Sequence, residues 1–263
     1  MNDKVLITTI DSRGVARLTL NRPDIRNAFN EELISEICDA IGRLNTDPNV
    51  RAIVLTGNGK AFSAGADLNM MKRAAEYSAA ENKDDARRLA HMLTSIYHSP
   101  KPTIALVNGP AMGGGLGLIA ACDIAIGADT SFFALTEVRV GLVPAVISPF
   151  VIQAITVRQA RRLFVTGERF DATHAERIGL LHKCVPADQL NDELEEMLKS
   201  LLLCSPNAQE TAKELIRRVS YRTPHDNVME ETAGIIAKAR TSTDGKEGIS
   251  AFLEKRKPNW QVE

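Results

Sequence analysis

Two glycine-rich stretches decide the fold: TGNGKAFSAGAD at residues 56–67 and VNGPAMGGGLG at residues 107–117. Each follows a run of apolar residues typical of a strand buried in a parallel sheet, and each precedes a helical pattern. Small residues in such a turn let the backbone approach a ligand closely, and the first N–H groups of a helix have no acceptor within it. Two such turns side by side could aim one N–H each at a single oxygen and form an oxyanion hole. Each turn alone also has a simpler interpretation, in which glycine only permits tight packing.

Strand and helix patterns alternate through the first two thirds of the chain, and the last third is nearly all helical. The chain opens with a predicted hairpin, and Asn30 is a predicted N-cap of the helix that Asp47-Pro48 ends. The predicted fold class is therefore α/β, with a core at residues 1–195 and a helical C-terminal subdomain at 196–263. The predicted strands lie at 4–10, 15–20, 51–56, 103–107, 123–126, 131–134 and 182–185, and further core helices at 67–76, 81–98 and 113–121.

The composition argues against several function classes. The chain has 263 residues, 44% of them apolar and 25% charged, and its net charge is −1. This balance does not favour nucleic acid or an anionic membrane as a partner. Four cysteines form no CxxC pair, which predicts reduced thiols in a cytoplasmic protein rather than a zinc ribbon or a disulfide framework. The first ten residues lack a signal-peptide pattern, and the apolar stretch at 103–128 carries six glycines, Asn108, Pro110 and Asp123, which a membrane-spanning helix would not.

Several familiar catalytic and phosphate-binding motifs are not matched by this sequence. Residues 57–60 lack the spacing of a P-loop, and the glycines at 113–117 lack the G-x-G-x-x-G spacing. Ser63 lacks one glycine of a G-x-S-x-G elbow, and the five histidines are not clustered, so no metal site is expected. Glu137 lies in the apolar segment FFALTEV, where burial would raise its pKa and suit it to general acid–base catalysis. Its simpler interpretation is an exposed loop residue.

Taken together, six motifs in order resemble the crotonase superfamily, the enoyl-CoA hydratase/isomerase family, almost from end to end. Any one of them is only moderately specific, but their common order makes an accidental resemblance very improbable. They are LNRP at 20–23 with Asn27-Ala28, AFSAGADL at 61–68, NG at 108–109 with GGG at 113–115, CDI at 122–124, GERF at 167–170 with GLL at 179–181, and FLEKR at 252–256.

This resemblance implies a spiral of β-β-α units assembled as a trimer or as a hexamer made of two trimers. It implies an acyl-CoA substrate whose thioester oxygen accepts from the N–H groups of Ala64 and Gly114, and no metal or redox cofactor. Residues in contact with CoA are then expected at two places. Arg26, Ala66, Asp67 and Leu68 would belong to the same subunit, and Phe252 and Lys255 to a C-terminal helix that approaches from a neighbouring subunit.

The sequence departs from the family pattern at two places. Family hydratases carry two glutamates; the position of the first is Gly117 here, and the second matches Glu137. The segment LVPAVISP at 142–149 replaces a Pro-Gly-rich turn. With Glu137 and Arg139, this segment looks like the bacterial branch that hydrates methylglutaconyl-CoA or isohexenylglutaconyl-CoA in leucine and acyclic-terpene breakdown.

The leading hypothesis is a hydro-lyase that adds water across the double bond of a branched 2-enoyl-CoA, with Glu137 as the proton-transfer group. The second hypothesis is an isomerase, which needs one base and no water. A third is an RNA-binding module, since some relatives of the family bind RNA, although the charge balance argues against it. The missing glutamate leaves hydration and isomerisation both open.

Overall fold

The computed structural model describes residues 4–261. Its larger sheet has six strands in the order β1-β2-β3-β4-β6-β9, and its smaller sheet has three in the order β5-β7-β8. In the larger sheet β1 is antiparallel to β2 and every other pair is parallel. The strands are β1 (Leu6–Ile10), β2 (Val15–Leu20), β3 (Ala52–Gly57), β4 (Thr103–Val107), β5 (Ala111–Met112), β6 (Ile124–Ala128), β7 (Phe132–Ala134), β8 (Phe170–Asp171) and β9 (Lys183–Val185).

The helices follow the strands in a repeating pattern. β4, β5 and α4 form one unit and β6, β7 and α5 the next, so each unit gives one strand to each sheet before its helix. Ser63 extends the smaller sheet by a bridge to Ala111, which attaches the turn after β3. The expected α/β spiral of β-β-α units is thereby confirmed. The helices are α1 (Glu31–Thr46), α2 (Leu68–Ala74), α3 (Ala79–Tyr97), α4 (Gly114–Ala121), α5 (Ser148–Thr166), α6 (Ala172–Arg177), α7 (Leu190–Leu202), α8 (Pro206–Val219), α9 (Asp226–Thr241) and α10 (Thr243–Leu253).

Local sequence accounts for most of these elements. The predicted hairpin forms from β1 and β2. β3 and β4 are buried at every position, as their unbroken apolar runs predict. The Asn30 side chain accepts from the Leu33 N–H at 3.0 Å and caps α1, and Asp47 ends that helix.

Both faces of the larger sheet are covered. On one face, α1, α3, α4 and α5 bury the larger part of the core. On the other, three leucines of α7 (Leu190, Leu194 and Leu198) pack against side chains of β3, β4 and β6. The predicted boundary between 195 and 196 is therefore wrong, because it cuts a helix that belongs to the core. The helical C-terminal region begins after Leu202.

Helices α8 to α10 are packed more loosely than the core. In the described chain they contain only two fully buried residues, Val228 and Ala251. Large apolar side chains stay exposed on them, among them Ile216, Met229 and Phe252.

Arg51 is one of the side chains that tie this region to the sheet; Lys213 of α8 also pairs with Asp123 and donates to the Lys101 carbonyl. The Arg51 guanidinium, beside the start of β3, donates to the carbonyls of Leu202, Cys204 and Trp260 at 3.4, 3.0 and 2.9 Å. Its Nε is buried without an acceptor among the residues that the structure describes, and burial lowers the pKa of the guanidinium.

All four cysteines are free thiols. Between residues 4 and 261, no helix has the length and apolar character needed to span a bilayer.

Candidate active site

In the turn after β3, the N–H group that was expected to act as a donor to the substrate is already bonded. The Ala64 N–H donates to the Arg26 carbonyl at 2.8 Å, so the assignment of Ala64 as an oxyanion donor is wrong. Phe29 pairs with Ala66 through bonds to the flanking residues: its N–H donates to Gly65 O at 2.7 Å, and its carbonyl accepts from Asp67 N at 2.8 Å. This pairing turns the Ala66 N–H away from Phe29, and that N–H has no acceptor among residues 4–261.

The turn after β4 presents the second donor. Gly114 is the first residue of α4, where an N–H has no acceptor within the helix. Within the described part of the chain, no other group accepts from it either.

The two turns meet at Gly65, whose φ is +82°. A Cβ added at Gly65 would lie 2.7 Å from the Met112 carbonyl oxygen and 3.3 Å from the Gly114 nitrogen. Only glycine permits this close approach, and it brings the residue before Ala66 against the Gly114 N–H. The two turns are therefore in contact, and Ala66 rather than Ala64 has the N–H without an acceptor in the described residues; the use of the two turns as a pair of oxyanion donors stays a prediction.

Glu137 lies beside the second donor. It belongs to a 3₁₀ turn at Thr136–Val140, and its Oε1 would be 2.9 Å from a Cβ at Gly113, the residue before Gly114. Its Oε2 is buried and has no hydrogen-bond partner in the described residues. Burial raises the pKa of this carboxyl above its ordinary value of 4.5. The alternative of an exposed loop residue is thus wrong.

The position of the usual first glutamate is filled by apolar groups. A Cβ at Gly117 would lie 2.4 Å from Ile147 Cγ2 and 3.3 Å from Leu93 Cδ1. Leu93 and Ile147 are both buried in the core. Ile147 belongs to the unusual segment at 142–149, so the two departures from the family pattern are in contact with each other.

The predicted CoA contacts divide into two groups. Arg26, Ala66 and Leu68 are exposed around the first turn, Leu68 to 73%. Asp67 is buried, where it caps α2 by accepting from the Asn69 N–H at 2.7 Å and pairs with Arg22 at 2.9 Å. Burial opposes ionisation of Asp67, but these two bonds outweigh it and lower its pKa. Because its carboxylate oxygens are already engaged, a contact between Asp67 and CoA would use the backbone of this residue, and the expected contact stays a prediction.

Phe252 and Lys255 lie at the far end of the chain. α10 packs on α8 and α9, and both side chains point to solvent, Phe252 with 83% of its surface exposed. The structure does not bring them to Gly114 within one subunit. Their contribution from a neighbouring subunit remains a prediction.

Three residues of this site were absent from the sequence predictions: Arg22, Ile147 and Ala66 in its role as a donor. Arg22 lies in the LNRP motif, which was a signal of the family but not of a contact with Asp67. No sequence signal pointed to Ile147 as the neighbour of Gly117.

Comparison with known proteins agrees with this geometry. The family model described as enoyl-CoA hydratase/isomerase matches residues 11–263. A relative from Thermus thermophilus that carries an enoyl-CoA hydratase name is 36% identical over 95% of this chain and 99% of its own. The crystal structure of an enoyl-CoA hydratase from Shewanella pealeana has a TM-score of 0.94 at 40% identity, over 97% of this chain and 96% of that one. An enoyl-CoA hydratase from Mycobacterium smegmatis gives a TM-score of 0.91 at 34% identity, over 98% and 99%. These names agree with the expected hydro-lyase class, and the chain belongs to the enoyl-CoA hydratase/isomerase family.

Proposed function

We propose that this protein hydrates a 2-enoyl-CoA, with Glu137 as the proton-transfer group and the N–H groups of Ala66 and Gly114 as donors to the thioester oxygen. The observation that carries the proposal is the half-buried Glu137 carboxylate, which lies over Gly113 beside the free Gly114 N–H. A base with a raised pKa beside an oxyanion donor suits proton transfer next to a thioester carbonyl.

The chemistry follows from this arrangement. Glu137 takes a proton from water as the water oxygen bonds to C3 of the substrate. The electron pair of the double bond moves towards the thioester, and the two N–H groups stabilise the enolate oxygen. Glu137 then returns its proton to C2, so water has been added and the carboxylate is regenerated. One such donor contributes about 10²- to 10³-fold in rate.

The apolar contacts at Gly117 are the reason that one carboxylate would serve both the deprotonation of water and the protonation of C2. Gly117 follows Gly114 by three residues on α4 and faces Ile147 and Leu93, which leave no room for a second acid. The same observation favours a second candidate, the isomerase, because bond migration needs one base and no water. Assays of water addition and of bond migration on matched enoyl-CoAs distinguish the two.

The acyl group that we propose is branched and of the glutaconyl type. The segment at 142–149 supports it by resemblance, and Arg139 supplies a cation for the distal carboxylate. Arg139 is exposed, and within the described chain it makes no ion pair. If it meets that carboxylate, Arg139→Gln raises KM for a glutaconyl-type substrate and leaves KM for crotonyl-CoA within about twofold; equal effects on both exclude this role.

The assembly that we propose is a trimer or a hexamer. The exposed apolar side chains of α8 to α10 support it, since subunit contacts would cover them. A stable monomer of 28.7 kDa in light scattering at micromolar concentration would contradict it.

The experiment that tests the function is Glu137→Gln on a panel of enoyl-CoAs. The expected loss of hydration is about 10²- to 10⁴-fold, with binding of acyl-CoA retained. Glu196→Gln is the matched control, because Glu196 is an exposed residue of α7 paired only with Lys199. A Glu137→Gln variant that keeps most of its activity would rule out the mechanism.

A further inference from the structure

A largely buried ion pair, Arg22 with Asp67, lies next to Ala66, the proposed first oxyanion donor. Arg22, at the end of the hairpin, donates through Nη2 to Asp67 Oδ2 at 2.9 Å. Their side chains are only 17% and 8% exposed. A second ion pair on the same helix, Arg73 with Glu31, is 48% and 38% exposed. The first pair is therefore much better shielded from solvent screening than the second.

The Arg22 guanidinium holds both chains that meet at the donor. Its Nη1 donates to the carbonyl of Ala28 at 2.5 Å, next to Phe29. Its Nη2 holds Asp67, next to Ala66. The bridge between Phe29 and Ala66, which sets the direction of the Ala66 N–H, thus has Arg22 bonded to the neighbouring residue on either side.

Helix α2 cannot fix this turn by itself. It has seven residues, and helices of this length are not stable alone in water. Its N-cap, Asp67, receives a bond from Arg22 in addition to the bond from Asn69 N–H. An N–H donor has to be held within about 0.5 Å and 10–20° to act on a transition state.

We propose that the Arg22–Asp67 ion pair is a positioning device that sets the direction of the Ala66 N–H towards the thioester oxygen. The inference rests on the proposed function. Arg22 and Asp67 do not touch the substrate in this account; they act through the backbone of Ala66.

The test uses substitutions that separate the ion pair from the helix cap. Asp67→Asn keeps a good N-cap and removes the charge, and Arg22→Gln removes the fork that bridges Ala28 and Asp67. Arg22→Lys keeps the charge but not the fork. Arg73→Gln is the matched control, because it breaks the exposed pair of the same helix.

The readouts are kcat and KM for hydration, the Kd of crotonyl-CoA and the Kd of free CoA. Asp67→Asn and Arg22→Gln are expected to lower kcat by about 10- to 100-fold and to weaken the binding of crotonyl-CoA. The Kd of free CoA should stay within about twofold of the wild-type value. Free CoA has no thioester oxygen, so a misdirected Ala66 N–H does not affect it. Arg22→Lys should recover part of kcat, and Arg73→Gln should leave every value within about twofold.

Three outcomes would overturn the inference. The first is that kcat of both folded variants stays within twofold of the wild type. The second is that the binding of free CoA weakens as much as the binding of crotonyl-CoA. The third is that neither variant folds, because the ion pair would then be needed for folding. If the wild type hydrates no enoyl-CoA, the proposed function fails, and the two Kd values still decide whether the pair positions a thioester donor.

Discussion

The two turns of the site each supply one proposed oxyanion donor, Ala66 and Gly114, yet they are held in place differently. The first is held by side chains: Asn27 alone donates to the carbonyls of Asn58 and Ala61 at 2.9 and 2.8 Å. The second has side-chain bonds only at its start, where Asn108 accepts from the Gly57 N–H and donates to the Gly59 carbonyl, and at Gly115 it packs as bare backbone, since an added Cβ would lie 2.7 Å from the Ser63 carbonyl oxygen. A turn held by side chains can be altered in steps by isosteric changes. A turn held by backbone contacts has no room for even one added methyl group.

Among changes within the two turns, the largest effect is therefore expected from a methyl group in the second turn. Gly115→Ala places its Cβ against the Ser63 backbone, which cannot move as a side-chain end can, and pushes the turns apart. We expect kcat/KM to fall at least about 100-fold, as when one oxyanion donor is lost.

Gly234→Ala is the matched control for this change. Gly234 is exposed on α9 with nothing within 4 Å of an added Cβ, so activity should stay unchanged and stability should rise by up to about 1 kcal/mol. Full activity in Gly115→Ala would break the distinction between the two turns.

The next effect is expected in the first turn. Asn27→Asp keeps shape but replaces two donated hydrogen bonds by a buried charge facing two carbonyl oxygens, which should cost about 3 kcal/mol of unfolding free energy. Urea denaturation measures it.

Asn82→Asp offers a comparison with the same bonds in solvent. Asn82 is exposed and also donates to two carbonyls, those of Ala74 and Tyr77. Its substitution should cost far less. Equal losses at 27 and 82 would mean that burial of the first turn contributes nothing.

The two carboxyls beside the turns should respond to pH in opposite directions. Asp67 has a lowered pKa, so its contribution to stability is present above 3.8 and is lost as pH falls through the folded value. Glu137 has a raised pKa, so its contribution is present below 4.5 and is lost as pH rises through the folded value. Glu137→Gln should therefore have the higher Tm at neutral pH, and the gain should shrink towards pH 4.5. A Glu137→Gln variant less stable than the wild type at pH 7 would contradict this sign.

The smallest effect concerns a left-handed residue outside both turns. Residues 65 and 113 have positive φ and are glycines, which adopt this conformation without strain. Thr156, where α5 kinks, has φ +70° and ψ 157° although its side chain is β-branched. Thr156→Gly should raise the unfolding free energy by about 1 kcal/mol, and Thr156→Ala should give no such gain. If the two variants have the same Tm in calorimetry, Thr156 carries no strain.

Sequence reasoning predicted the parts of the molecule that local chemistry decides. Buried apolar runs marked β3 and β4, and Asn30 marked the start of α1. It failed where remote segments decide. Ala64 and Ala66 are two alanines in one turn, and which N–H stays free depends on pairing with Arg26 and Phe29, more than thirty residues earlier.

Sequence reasoning missed the boundary of the C-terminal region and the apolar contacts at Gly117 for the same reason. α7 has the periodicity of any amphipathic helix, and only its contact with the sheet assigns it to the core. In the sequence, Gly117 indicates only that the usual first glutamate is absent. The position of Ile147 shows that the space beside Gly117 is filled by an apolar side chain. The geometry of Glu137 was likewise unpredictable, although its apolar surroundings indicated the direction of its pKa.

Arg51 has a consequence for how the chain is made. Its bond to the Trp260 carbonyl joins residues 209 positions apart, and its other two acceptors lie beyond residue 200. During synthesis, β1 to β3 can pair long before these carbonyls leave the ribosome, so the nascent sheet carries a cation whose acceptors do not yet exist. Contacts of such separation form late, because loop closure has to precede them. The bonds from Arg51 to the carbonyls of residues 202, 204 and 260 are therefore expected to form after β1 to β3 have paired, so the contact between the sheet and the C-terminal region is made late in folding.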